Sequence, residues 1–375
     1  MKIGIDISNT IGEKTGIGYY TTDLVNSLAH IDPDNRYILY PFFYFIHNSH
    51  YKAAVKPPQK NFRIKFEYIP KKIVDRMWFS PIPKKWLLGE VDILHSTTYS
   101  APKDHYGKLI VTIYDLSFIT YPNYHTDLNR NHCMKSTNDA IKFADTIITI
   151  SEYGKSEMLR YFDIDEERIQ VTPLAANDCF RPIEKKEREL IKNGIPEEYI
   201  LFIGTLEPRK NLITLLKSYL SLAPDIREKH KLVLAGKKGW LHSEVKQLIH
   251  QNQKYIYYLG YVPEEKLPSL YSGSLFFVYP SYYEGFGLPI LEAMACGTPV
   301  ITSNRSSMPE IAGDAAVLFN PDNQQELYST MMLLIQDEEL RSEMSRKGII
   351  QAAKYSWEKT ARKTLKIYED AYRKN

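Results

Sequence analysis

Two doubly wound parallel α/β domains are the fold class that this chain predicts. Three observations carry it. Short apolar runs alternate with longer amphipathic ones along almost the whole length, as strands and crossover helices do. The alternation stops in a charged, proline-containing stretch, Pro173 to Ile195, and restarts at Tyr199. The 375 residues also exceed what one core of ordinary size needs.

In the first half the strands are expected at Ile3–Ile7, Tyr37–Tyr40, Ile64–Tyr68, Ile93–His95, Leu109–Ile113 and Thr146–Ile150. Helices fit Tyr19–Ala29, Asp127–Phe143 and, after the cap-like Ser151, the stretch to Tyr161. The second half repeats the pattern with strands at Tyr199–Ile203, Lys231–Ala235, Tyr255–Leu259, Leu275–Val278, Val300–Thr302 and Ala316–Phe319. Helices are expected at Leu212–Ala223, Pro289–Cys296 and Gln324–Asp337. Ser356–Arg373 reads as a long amphipathic helix with Trp357, Ala361, Leu365, Tyr368 and Tyr372 on one face. The expected domains are 1–177 and 178–356, with 357–375 packing back on the first.

Composition narrows the function classes. A hydrophobic content of 43% with 25% charged residues excludes large-scale disorder. A formal net charge of +3 singles out no partner, and no nucleic-acid module is present. Cys133, Cys179 and Cys296 form no C-x-x-C pair, so neither a zinc site nor a disulfide framework is expected. The first residues read as a strand rather than a signal peptide, and no apolar run is long enough for a spanning helix. These features suit a cytoplasmic protein, peripheral at most to the inner face of a membrane.

Ligands of open parallel sheets bind beyond the carboxyl ends of the strands, so the informative residues follow strands. After Leu275–Val278 comes Glu284-Gly285-Phe286-Gly287-Leu288-Pro289, then Glu292 in the first helical turns. Amides at a helix amino terminus have no intrahelical acceptor and can meet an anion or a hydroxyl. Gly285 and Gly287 permit close backbone approach, and the two carboxylates can accept bonds from sugar hydroxyls. After Tyr199–Ile203 comes Gly204, then Arg209-Lys210-Asn211, two cations just before a helix that can reach a pyrophosphate or stand as a solvated pair.

Three further segments follow strands. Gly16-Ile17-Gly18 after the first strand is an incomplete G-x-G-x-x-G, which argues against a dinucleotide-dependent oxidoreductase. Tyr114 and Asp115 close the fifth predicted strand, and His95 closes the fourth. Each can face a ligand or serve the core. The triplets Asp32-Pro33-Asp34 and Asp163-Ile164-Asp165 follow no strand and read as a turn and a helix start rather than a metal site. Lys52 to Trp86 is strongly basic, with Trp78, Phe79 and Trp86 interleaved. It suits an anionic membrane surface or a solvated face over a few buried aromatics.

Together these segments resemble the retaining glycosyltransferases of GT-B type, the glycogen-synthase-like family 4. The E-x7-E of Glu284 and Glu292 stands in register with Gly204–Asn211, Met308–Asp314 and the terminal helix, and the likeness covers nearly the whole chain. The resemblance implies two Rossmann-like domains facing across a cleft. The first, near Gly16 and Gly18, would take the acceptor, and the second a nucleotide-sugar donor. It places the base near Tyr261 and Val262, the pyrophosphate on Arg209 and Lys210, and the ribose on Glu292. It places the transferred sugar on Glu284 and the amides of Phe286, Gly287 and Leu288. Relatives need no metal or other cofactor, and oxygens of the leaving diphosphate take the acceptor proton.

One position departs. Relatives carry histidine where Tyr114 stands, so no catalytic histidine carries over, while Asp115 remains. Tyr114 and His95 are then sugar or acceptor contacts to be tested. The likeness is strongest to bacterial mannosyltransferases of O-antigen and other surface polysaccharides. It implies GDP-mannose as donor and a glycan or lipid-linked acceptor. A UDP-sugar donor and a non-catalytic nucleotide-sugar-binding scaffold are the alternatives.

Overall fold

The computed structural model describes residues 1–11, 16–43, 54–99, 102–184, 195–239 and 243–374. Contacts divide the chain into one unit of Met1–Leu174 with Trp357–Asn375 and a second of Ala175–Ser356.

The first unit holds seven parallel strands: β1 (Lys2–Asp6), β2 (Arg36–Tyr40), β3 (Phe62–Ile64), β4 (Ile93–Ser96), β5 (Lys108–Ile113), β6 (Thr146–Thr149) and β7 (Ile169–Val171). Their order is β3-β2-β1-β4-β5-β6-β7. β1 thus lies between β2 and β4, in register Lys2↔Arg36 and Ile3↔Ile93, which makes a topological switch point at its carboxyl end. Parallel strands are covered on both faces, which explains why β1, β4 and β5 are buried at consecutive positions instead of alternating ones. Gly4 has a steric duty here: a Cβ would stand 2.5 Å from a ring carbon of Tyr40.

The second unit repeats the plan with β8 (Tyr199–Ile203), β9 (Lys231–Ala235), β10 (Ile256–Gly260), β11 (Phe276–Tyr279), β12 (Val300–Ser303) and β13 (Ala316–Phe319). The order β10-β9-β8-β11-β12-β13 puts the switch between β8 and β11. Two parallel-sheet, Rossmann-like domains are therefore present.

The structure moves several expected elements. β3 ends at Ile64, because Lys65 makes a last bond to Leu39 and Phe66 turns into the left-handed region at φ 60°. Ile169–Val171 pairs with β6 as an edge strand too short for its own periodic signal. The first helix starts at Gly16, earlier than Tyr19. Two short helices, Lys71–Trp78 and Lys84–Leu88, occupy the basic segment. The terminal helix is Trp357–Arg373 and packs on Gly16–Ile31. Its buried face runs through Trp357, Thr360, Ala361, Thr364, Tyr368 and Ala371, leaving Tyr372 exposed. Threonines fit there because their hydroxyls are spent on carbonyls: Thr360 Oγ1 donates to Pro173 O at 2.6 Å and Thr364 Oγ1 to Thr360 O at 2.8 Å.

Candidate functional site

At the carboxyl end of the second sheet four loops are sewn together. Gly204 N donates to Ala235 O, Gly236 N to Gly260 O at 2.7 Å, and Tyr282 N to Arg209 O at 2.9 Å. Gly236 has to be glycine, since a Cβ would stand 1.9 Å from the Gly204 carbonyl oxygen. After Gly204 the chain makes a single 3-10 turn, Pro208–Lys210, with Pro208 at its start and Asn211 in the left-handed region at φ 53°. Asn211 tolerates that conformation and anchors it by donating from Nδ2 to Pro321 O at 2.8 Å.

That turn presents Arg209 and Lys210 to Glu284. Lys210 Nζ donates to Glu284 Oε1 at 2.6 Å and to the Tyr279 hydroxyl at 2.7 Å. Arg209 donates from Nη1 to Glu284 Oε2 at 3.0 Å and to the Tyr283 carbonyl at 2.8 Å, and from Nη2 to Glu207 Oε1 at 2.7 Å. Lys210 and Glu284 are each 7% exposed. Burial disfavours the Glu284 carboxylate, but Arg209 and Lys210 outweigh it and hold the group down at about 2. Burial also pushes Lys210 below its ordinary value, against the attraction of Glu284. Glu284 is therefore an ionised acceptor with both oxygens committed to cations.

The loop carrying Glu284 is held from a second side. Ser307 Oγ is 2.9 Å from both the Glu284 and Phe286 carbonyls, and Ser306 Oγ accepts from Glu284 N at 3.0 Å. Gly287 then caps the helix Leu288–Ala295 at φ 98°, with Pro289 in the first turn and Cys296 just past the end. The helix starts one residue before the expected Pro289. In its first turn Pro289 has no amide hydrogen and Ile290 N donates to Gly287 O at 2.9 Å. Glu292, one turn in and half-buried, accepts from the Tyr271 hydroxyl at 2.9 Å. Burial raises its carboxyl to about 7 even though that bond opposes the shift. Tyr261 follows β10 and is 57% exposed, with Lys237 Nζ 5.0 Å from its ring centre; Val262 is next to it. Gly204, Lys210, Glu284, Phe286, Gly287, Leu288 and Glu292 thus surround one end of one sheet.

In the first unit Gly16 and Gly18 open the first helix, and a Cβ on Gly16 would meet nothing within 4 Å. The preceding Thr15 lies outside the described residues. His95 is corrected from a ligand contact to a core group. It is fully buried, and its ring nitrogens lie 2.7 Å from the Tyr368 hydroxyl and 2.8 Å from Thr112 Oγ1. Burial lowers it to about 3, so it stays neutral. Tyr114 is buried too and spends its hydroxyl on the Thr97 carbonyl at 2.6 Å, while Tyr20 packs edge-on 5.2 Å away. Burial pushes its phenol well above the ordinary value. It has no free donor for a sugar. Asp115 Oδ1 accepts from Ser117 N at 3.0 Å and Ser117 Oγ at 2.7 Å, an Asx turn after β5.

One aspartate of each triplet is committed to local hydrogen bonds. Asp32 accepts from the Asp34 and Asn35 amides and from the Asn35 and Tyr37 side chains, and Asp165 caps the 3-10 turn Glu166–Arg168. Glu207, Tyr279, Tyr271, Ser306 and Ser307 were not foreseen. Glu207 had a signal, a carboxylate two residues before an arginine in a strand-end loop. The serines had none, because only the fold brings the loop after β12 beside the loop after β11.

The family model described as glycosyl transferases group 1 matches residues 184–351. The O-antigen chain mannosyltransferase B of Escherichia coli is 36% identical over 296 residues, covering 77% of each chain. The serotype-specific mannosyltransferase WbdA of Escherichia coli is 30% identical over 281 residues, 71% of this chain but only 34% of that protein. Among solved structures, Anabaena HepE in complex with UDP-glucose superposes with a TM-score of 0.73 at 16% identity, over 99% of this chain and 100% of that one. That likeness speaks for the GT-B fold alone. The identity to mannosyltransferase B over three quarters of both chains decides the family: this chain belongs to the group 1 glycosyltransferases and is an enzyme of the O-antigen mannosyltransferase family.

Proposed function

We propose that the protein transfers a mannosyl group from GDP-mannose to a glycan or lipid-linked acceptor, with retention of anomeric configuration. The buried Glu284–Lys210 pair, whose carboxylate lies on the loop that leads into the amino terminus of Leu288–Ala295, carries the reading. The base lies near Tyr261 and Val262, the ribose hydroxyls bond to Glu292, and the diphosphate meets Lys210 and the Gly204 loop. Glu284 and the amides of Phe286–Leu288 hold the transferred sugar. The acceptor oxygen bonds to the anomeric carbon as the bond from that carbon to the phosphate oxygen breaks, and the acceptor proton passes to an oxygen of the leaving diphosphate. Lys210 and the helix amides stabilise the charge that grows there. Mannose is favoured by the names of the two sequence relatives. A UDP-sugar is the second reading, motivated by the UDP-glucose in the HepE complex. Incubation with GDP-mannose, UDP-glucose and UDP-galactose in turn, following release of nucleoside diphosphate, tests it. Consumption of a UDP-sugar alone would replace the first reading by the second.

A lipid-linked acceptor agrees with the surface around Lys71–Trp78 and Lys84–Leu88. Trp78 is buried, but Ile73, Phe79 and Trp86 are exposed, the last two at 61% and 67%, with Lys72 and Arg76 exposed among them. Lys52 lies outside the described residues. Among the described residues no helix is long and apolar enough to cross a membrane. These side chains would instead seat on an anionic lipid surface, each cation contributing about 1 kcal/mol. Sedimentation with phosphatidylglycerol vesicles at low salt, lost in Phe79→Ser/Trp86→Ser, is the expected result. Equal sedimentation with neutral vesicles would contradict it.

A further inference from the structure

Arg209 stands beside Lys210 in the sequence, yet the two cations are held in different ways. Three N–H bonds of Arg209 end on protein acceptors: the Tyr283 carbonyl, Glu284 Oε2 and Glu207 Oε1. Two of those acceptors are charged, and the third is the backbone of the residue just before Glu284. A guanidinium is a rigid planar fork, so fixing it on one side fixes what it grips on the other. Glu207, itself only 10% exposed in its side chain, takes Nη2, while Nη1 holds both the Tyr283 carbonyl and Glu284 Oε2. The four charged groups, Glu207, Arg209, Lys210 and Glu284, balance within the cluster.

A diphosphate that met Arg209 through Nη1, where both hydrogens are committed, would have to displace Glu284 or the Tyr283 carbonyl. Displacing Glu284 leaves a buried carboxylate with a single cation, and displacing the Tyr283 carbonyl loosens the loop that carries Glu284. Lys210 is different: a compact ammonium with three donors, of which Tyr279 and Glu284 take two. We propose that Glu207 and Arg209 are a positioning pair. Glu207 fixes Arg209, Arg209 fixes Glu284 Oε2 and the loop before it, and the diphosphate is met by Lys210 rather than by Arg209. This rests on the donor-site reading given above.

The test separates binding from turnover. Guanosine diphosphate is titrated by calorimetry, with uridine diphosphate in parallel, and transfer is followed at steady state. Lys210→Ala should weaken nucleotide affinity at least tenfold, as loss of a charged contact to phosphate does. Arg209→Ala should leave that affinity within about threefold and lower kcat by about a hundredfold, the cost of a misplacement of about 1 Å of a reacting group. Glu207→Gln keeps shape and an acceptor oxygen, and should lower kcat by about tenfold with affinity unchanged. Added to Arg209→Ala it should cost nothing further, since it acts through that residue. Arg209→Lys should recover part of the rate, because an ammonium reaches Glu284 but cannot span to Glu207. Should Arg209→Ala not fold, Glu207→Gln and Arg209→Lys carry the same comparison without emptying the site. Equal loss of nucleotide affinity in Arg209→Ala and Lys210→Ala would overturn the proposal while leaving the donor site intact. An unchanged kcat in Glu207→Gln would also overturn it. A wild-type protein that binds neither nucleotide would bring down the donor-site reading and the positioning pair together.

Discussion

Lys210 Nζ lies 2.6 Å from Glu284 Oε1, and each side chain is only 9% exposed. A buried pair of this kind is poor evidence of net stabilisation, because desolvation offsets much of the attraction. Breaking it is costly all the same, since an uncompensated charge is left behind. Glu284→Gln should destabilise the protein by about 3 kcal/mol and abolish most transfer. Urea denaturation followed by tryptophan fluorescence checks the first part, and an unshifted midpoint would show that the pair is solvated after all.

Acid should unfold the protein through two groups acting with the same sign. The Glu284 carboxyl is held at about 2 against 4.5, so its contribution is full above pH 4.5 and is lost as pH falls from there toward 2. His95 is held at about 3 against 6.5, so its contribution is full above pH 6.5 and fades from there toward 3. In both cases the unfolded state binds the proton first. His95→Asn should lower the melting temperature at pH 7.5 and flatten its fall between pH 6.5 and 4.5. Transfer per folded molecule should be untouched. A loss of turnover without loss of stability would return His95 to the site.

Glu292 titrates the other way. Its carboxyl is raised to about 7 from 4.5, so the folded state keeps a proton that the unfolded state has released, and stability falls as pH rises across that interval. Ionised Glu292 is the stronger acceptor for ribose hydroxyls. Nucleoside diphosphate affinity should therefore rise between pH 6 and pH 8 in the wild type and stay level in Glu292→Gln. Calorimetry at four pH values decides it, and the same slope in both proteins would remove Glu292 from the nucleotide site.

Tyr114→Phe removes the donor to the Thr97 carbonyl and the phenol's contact with the Thr21 side chain. It should cost about 1 kcal/mol of stability and leave kcat and KM unchanged. A selective fall in transfer would mean that the phenol leaves Thr97 when substrate binds.

Transfer should survive EDTA. Asp32 and Asp165 commit carboxylate oxygens to neighbouring amides and side chains, and no cluster of metal-ligating side chains occurs among the described residues. Activity lost in EDTA and restored by manganese alone would contradict this.

Both sheets were legible because parallel strands covered on both faces leave unbroken apolar runs such as Leu109–Ile113 and Tyr199–Ile203, and the breaks between them carry caps such as Ser151. Short edge elements were not: Ile169–Val171 owes its strand to pairing with β6. The placement of Glu284, Lys210 and Glu292 at one end of the second sheet was readable from motif register, since a strand-end loop and a helix start fix where they fall. Which group each cation holds was not readable. That depends mostly on distances between loops far apart in the chain, such as Arg209 and Tyr283, 74 residues apart. The two strand-end residues His95 and Tyr114 show the opposite failure. Their position after strands suggested ligand contact, but full burial turned their polar atoms toward Tyr368, Thr112 and Thr97.

The most direct measurement is consumption of GDP-mannose by the wild type and by Glu284→Ala, with guanosine diphosphate affinity measured on the same preparations. The account predicts that the wild type releases guanosine diphosphate from GDP-mannose. Glu284→Ala should do so at least about a hundredfold more slowly while binding the nucleotide within severalfold of wild type. Undiminished release by Glu284→Ala would contradict the assignment of the sugar to Glu284. A wild type that consumes no nucleotide-sugar would contradict the donor site as a whole.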